Sequence, residues 1–236
     1  MPFFYYWDPW YIAVIAAMLF SFWASARVNS SFQKGSQVRP MSGMTGYDAA
    51  YQVLRANGLD DVRIERVSGN LTDHYDPRTK VLRLSDSVYG VSSAAAIGVA
   101  AHEAGHAIQH AHGYFPLTVR NAIIPITNFG SRIAVPLILL GFLFEGLGRN
   151  MIVIAYAGVA CFAFSVLFQL LTLPTEFNAS NRALEAIENG GYLTREELGT
   201  AKSVLSAAAL TYVAALTVAL TQFLRLLGMV QRRDRR

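Results

Sequence analysis

Charge is scarce in this chain. Lys, Arg, Asp and Glu together make up 15% of its 236 residues, against about 25% in ordinary soluble domains. Cysteine is nearly absent: Cys161 stands alone in an apolar run, which excludes an internal disulfide and a thiolate metal cluster. No basic patch interleaved with aromatics occurs, so a nucleic-acid partner is not expected. No internal repeat or low-complexity segment is found, which sets aside solenoids and disordered linkers. The first 26 residues hold no Lys or Arg, and a secretory signal opens on a basic stretch, so this segment reads as a retained anchor.

What is present is hydrophobic: 53% of residues, with a mean hydropathy of +0.31. Four long apolar stretches follow one another: Trp10 to Ala26, Arg132 to about Leu147, Met151 to Leu173 and Val204 to Met229. About 20 such residues in a helix cross the hydrocarbon core of a bilayer. The aromatics Phe3, Phe4, Tyr5, Tyr6, Trp7, Trp10 and Tyr11 suit a water–lipid interface. The net charge of +4 is weighted to the tail QRRDRR, which suits anionic headgroups. Arg225 is long enough to snorkel.

Two polar segments flank the central pair of apolar stretches, which form a hairpin turning at Gly146–Asn150 and so return both segments to one membrane side. The expected divisions are 1–28, an N-terminal anchor; 29–128, a polar catalytic segment; 129–173, a transmembrane hairpin; 174–203, a second polar segment; and 204–236, a last span with its basic tail. Within the first polar segment, RVNSSFQKGSQVRPMSG reads as a linker. TGYDAAYQVLRANGL has helical periodicity closed by Asn57-Gly58. DVRIERVSG and KVLRLSDS alternate like strands, with turn chemistry in LTDHYDPRT between them. Ser92 or Ser93 caps a helix that runs to Gly113. In the second polar segment a helix is expected from Glu176 to Asn189. Pro136 is placed to kink the third-from-last span.

The helix ending at Gly113 contains VAAHEAGHAIQH, Val99 to His110. Residues four apart share a helix face, so His102 and His106 can offer imidazole nitrogens to one metal ion. Glu103 is rotated about 100° from His102 and is placed to reach a water on that metal rather than the metal itself. Zinc brings the pKa of such a water to about 7, within range of a carboxylate base. A catalytic zinc usually takes three protein ligands. His110 continues the spacing but lies about 12 Å from His102 along the axis at 1.5 Å per residue, too far for bonds of about 2 Å. His110 and His112 are read as surface or supporting groups. The third ligand must come from another element on the same membrane side, and Glu176, directly after an apolar stretch, is the outstanding candidate. An interfacial glutamate favouring a helix start is the alternative reading of that residue.

HEAGH followed by EFNASNRAL resembles the gluzincin pattern of membrane zinc peptidases of the HtpX type, whose later helix reads roughly E-Y-x-A-D-x-x-A. Glu176, Phe177, Ala179 and Ala183 match it; Ser180 stands where those enzymes carry an aspartate, and Asn178 or Asn181 is the candidate substitute for orienting the ligands. GMTGYDAAYQVL, LTDHYDPRTKVLRLS, AAHEAGHAIQHAHGY and LPTEFNASNRAL together resemble the YugP-like family of neutral zinc metallopeptidases over most of the chain. The resemblance implies a mainly α membrane protein: a helical transmembrane bundle of about four spans with a small α+β zincin-like catalytic domain carrying HExxH. It implies a Zn2+ cofactor held by His102, His106 and Glu176, with Glu103 as the general base. In zincins a strand beside the active-site helix lines the cleft and pairs with an extended substrate. KVLRLS is expected as that edge strand, and His74 or Tyr75 as donors to the oxyanion or contacts to substrate, against a plain Asp-Pro turn.

The function expected is therefore hydrolysis of peptide bonds in membrane-associated or unfolded polypeptides by a multi-pass zinc endopeptidase of the cell (plasma or inner) membrane, in contact with lipids. A non-catalytic membrane protein with a structural or sensing metal is the alternative, and Glu103 speaks against it because closed structural sites need no base. A transporter fits poorly, since the long spans carry almost no ionisable residues. Arg27, Lys34 and Arg39 after the first span put the catalytic side in the cytoplasm by the positive-inside rule; the basic tail argues the reverse. Oligomeric state and cleavage preference are not legible.

Overall fold

A computed structural model of the chain describes residues 10–144 and 151–235. The expected aromatics at 3–7 and the turn at 146–150 lie outside the described residues. Among the described residues, six helices and three strands occur in the order α1 (Trp10–Ser36), α2 (Gly46–Ala56), β1 (Arg63–Val67), β2 (His74–Asp76), β3 (Val81–Ser85), α3 (Ala94–Ala111), α4 (Phe115–Phe144), α5 (Ile152–Gly190) and α6 (Arg195–Asp234). Helices α1, α4, α5 and α6 are each long and apolar enough to cross a membrane.

The chain forms two compact units. One contains Met1–Trp23, Val119–Leu173 and Tyr212–Arg236; the other contains Ala24–Thr118 and Pro174–Thr211. In the first unit, small residues bring α4 and α5 together. A Cβ on Gly158 would stand 2.6 Å from the Ala134 carbonyl oxygen, and one on Gly141 would stand 2.5 Å from the Ala155 nitrogen. Close backbone contact of this kind is how helices associate where lipid offers no hydrophobic drive. Arg225 lies over the Tyr11 ring at 3.9 Å, a cation–π contact.

The second unit holds the sheet, α2 and α3. Thr45 caps α2 through a capping box, its side chain accepting from the Asp48 backbone while the Asp48 side chain accepts from the Thr45 backbone. The helix ends at Asn57, followed by Gly58 at φ +68, a conformation that glycine adopts without strain. Ser93 caps α3 by accepting from Ala96 N, and Gly113 at φ +60 follows its end.

Three expectations are corrected. The stretch read as a linker continues α1 to Ser36. Phe32 is buried there, and a Cβ on Gly35 would stand 2.9 Å from the Ala95 Cβ, so packing overrides a weakly helical composition. The helix expected to begin at Glu176 is instead the last third of α5, which passes through Pro174; one missing N–H does not end a helix whose neighbours hold both flanks. Finally, KVLRLS is not an edge strand. The sheet order is β1-β3-β2, with β3 parallel to β1 and antiparallel to β2. The β3 residues Val81, Leu82, Leu84 and Ser85 are all buried, as a central strand requires. The edge strand in contact with α3 is β2, which lies in the segment read as a turn.

Helices α3 and α5 meet at backbone distance. A Cβ on Gly105 would stand 2.7 Å from the Ala179 carbonyl oxygen. Gly105→Ala is therefore expected to lower stability by about 1–3 kcal/mol, the usual range for overpacking. Gly199→Ala, where nothing lies within 4 Å, should be neutral or stabilising because alanine is the better helix former. Thermal unfolding of both variants in detergent checks this, and equal melting temperatures would contradict the packing described.

Candidate metal centre

The apolar period of α5 beyond Pro174 sets up the site. Glu176, Ala179, Ser180, Ala183 and Ile187 are all buried and recur at the three- and four-residue steps of one helix face. Because Gly105 and Ala179 lack bulk, that face lies against the α3 face carrying His102 and His106. The Glu176 Oε2 atom is 3.2 Å from His102 Nε2 and 3.5 Å from His106 Nε2. One ligand atom from each of the three residues falls within 4.8 Å of the others. The two rings stand edge to face, centroids 4.8 Å apart.

Each imidazole is also held from behind. His102 Nδ1 meets the Ser180 hydroxyl at 3.1 Å, and His106 Nδ1 meets Gln109 Oε1 at 3.0 Å. Gln109 is fully buried and donates from Nε2 to the Thr175 carbonyl (2.8 Å) and to Asn178 Oδ1 (2.9 Å). The same Asn178 oxygen accepts from Arg182 Nε at 2.8 Å. Burial works to lower the His106 pKa. The hydrogen bond and charge of Glu176, the charge of Glu103 and the Gln109 bond outweigh it and hold the ring above the ordinary histidine value. Glu176, 4% exposed, needs that compensation, because an unpaired buried carboxylate is costly.

The donor set fits zinc. Two ligands about 2.0–2.2 Å from one tetrahedral ion lie roughly 3.4 Å apart, and the Glu176 separations of 3.2 and 3.5 Å bracket that figure. Two imidazoles and one carboxylate form the ligand trio of an open catalytic site. The second ring nitrogen of each histidine is already bonded, as the ligands of metal sites require. Glu103 is half-buried and its carboxylate accepts no hydrogen bond among the described residues, while its charge acts on His106.

The other residues singled out in the sequence are spread more widely. Tyr75, on β2, shares a hydrogen bond of 3.0 Å with His110 Nδ1. Burial, then the charges of Asp61 and Asp76, push its phenol up to about 12, so it remains a protonated donor at neutral pH. His74 is exposed, its Nδ1 2.9 Å from the Thr72 carbonyl oxygen and its Nε2 3.5 Å from Arg83 Nη1. His110 and His112 are exposed and stand outside the trio; His112 Nδ1 lies 3.4 Å from Arg182 Nη1. Asn178 is drawn into the network behind His106, whereas Asn181 is exposed. Gln109 was missed by sequence reasoning. The signal available was its place three residues after His106 on the same helix face, polar within an otherwise buried stretch.

Comparison with known proteins agrees with this chemistry. The sequence profile of the family described as "Putative neutral zinc metallopeptidase" matches residues 10–231. The chain is 49% identical over 211 residues, covering 89% of its length and 92% of the relative's, to a Bacillus subtilis (strain 168) protein named "Putative membrane protease YugP". No solved structure matches the chain. With almost its whole length matched by the family profile, the chain belongs to the neutral zinc metallopeptidase family so described.

Proposed function

We propose that the protein is a membrane-embedded zinc endopeptidase of gluzincin type, with His102, His106 and Glu176 as the metal ligands and Glu103 as the general base. The observation that carries this reading is the convergence of two imidazole nitrogens and one carboxylate oxygen within 4.8 Å of one another, the carboxylate 3.2 and 3.5 Å from the two rings. A zinc ion held there supplies Lewis acidity, polarising a peptide carbonyl and acidifying a water to a pKa of about 7. The protein's own groups do the rest. Glu103 takes the proton of the attacking water and passes it to the leaving amine, which makes it base and then acid in one turnover. Glu176 and the two histidines keep a fixed geometry because Ser180 and Gln109 hold the rings from behind.

An extended polypeptide lies along β2, the edge strand in contact with α3, by main-chain pairing of the kind that adds a strand to a sheet. Tyr75 on that strand, protonated and bonded to His110, fixes the strand against the helix beside the site. Main-chain pairing demands an extended substrate, so unfolded or membrane-associated polypeptides are the class cut. The chain sits in the cell (plasma or inner) membrane with Arg27, Lys34 and Arg39 on the cytoplasmic side.

Detergent-purified wild type and Glu103→Gln should each carry about one zinc per chain by mass spectrometry, Glu176→Ala much less, and only wild type should cleave casein. Removing Glu103 is expected to cost at least 10²–10⁴-fold in rate, the scale of general acid–base catalysis. Casein cleavage that survives in Glu103→Gln would contradict its role, and equal zinc in all three proteins would remove Glu176 from the ligands. For orientation, a cysteine at the open position Gly90 in a Cys161→Ser background should resist a membrane-impermeant thiol reagent in intact cells and react in inverted vesicles. The opposite pattern would put the catalytic side outside.

A further inference from the structure

The two histidines of the trio are held differently. Ser180 offers His102 a hydroxyl, which both donates and accepts, so that contact leaves open which ring nitrogen bears the proton. Gln109 offers His106 a group with no such freedom. Arg182 Nε can only donate, and it bonds the Asn178 side chain at 2.8 Å, which makes that Asn178 atom the oxygen. The Thr175 carbonyl can only accept. Gln109 faces both acceptors, at 2.8 and 2.9 Å, so the group there must be its NH2. Its oxygen is then turned to His106 Nδ1 at 3.0 Å. His106 Nδ1 must donate, so the neutral ring, the form that binds a metal, carries its lone pair on Nε2, the atom that faces Glu176.

We propose that Gln109 is a positioning residue: through the chain Arg182–Asn178–Gln109 it sets the proton of His106 on Nδ1 and so keeps Nε2 ready to bind the metal. The inference rests on the zinc reading given above. Gln109 touches neither metal nor substrate and acts only through His106. Its amide is fully buried with all three of its bonds directed, so the ring is oriented before any ion arrives. A partner behind a metal-bound histidine is commonly worth 10–100-fold in metal affinity.

The test separates this role from a plain packing role. Zinc affinity is measured by chelator competition on the full-length protein, alongside the melting temperature of the metal-free form, for wild type, Gln109→Leu and Gln109→Glu. Leucine removes the acceptor for His106 Nδ1, so zinc binding should weaken by about 10–100-fold. Glutamate keeps an acceptor there but loses both donated bonds, so the metal-free form should melt lower while zinc affinity stays close to wild type. If affinity instead follows melting temperature across the three proteins, or Gln109→Leu binds zinc as wild type does, the proposal is overturned. Should Gln109→Leu fail to fold, Asn178→Asp and Asn178→Leu ask the same question one link away. The first keeps the acceptor and should retain affinity, the second should lose it, and equal affinities would overturn the relay. Wild type without zinc would overturn the metal reading and this one together; zinc in wild type with indifferent Gln109 variants would overturn this one alone.

Discussion

The contact between the backbones of α3 and α5 at Gly105 and Ala179 is the constraint on which the rest of the site depends. Three side chains from positions 74 residues apart in sequence can share one ion only if their helices approach without intervening bulk. Glycine and alanine provide that approach, and the alanine-rich stretch around HEAGH extends it: Ala100, Ala101, Ala104 and Ala107 are buried. The same device recurs between α4 and α5, at Gly141 and Gly158. Small residues thus serve two ends in this chain, association of apolar helices in one unit and alignment of the proposed metal ligands in the other.

Electrostatics explains why the trio is poised for a cation. A carboxylate buried to 4% exposure and two imidazoles close on one point, and Glu103 adds negative charge nearby. In the apo protein this is met by raising the proton affinity of His106, which is a partial remedy. A divalent ion answers the same field more completely, and the fully bonded network behind the rings means that little rearrangement accompanies its arrival. A satisfied buried network of this kind rigidifies its members; a half-satisfied one would be a liability.

Much of this was legible in the sequence, and the limits have physical causes. Local signals served well. Asn57-Gly58 closed α2, Ser92 or Ser93 and Gly113 bounded α3, and the four-residue spacing of His102 and His106 placed both on one face. Glu176 could be named from its type and its place after an apolar run. What failed was non-local. The order β1-β3-β2 is set by pairing across the sheet, and alternation within KVLRLS does not reveal how many neighbours it has. The proline at 174 is a breaker by local rules, yet packing on both sides carries α5 through it. Gln109 looked ordinary because its importance comes from Asn178, 69 residues away, and through it from Arg182.

Helices α3 and α5 are proposed to hold one zinc ion through two imidazoles and one carboxylate. Zinc K-edge X-ray absorption on the purified protein tests it most directly. Two nitrogen ligands of the imidazole type and oxygen ligands at about 2.0–2.2 Å are expected, with no sulfur shell. A spectrum with a single imidazole, or with oxygen ligands alone, would contradict it.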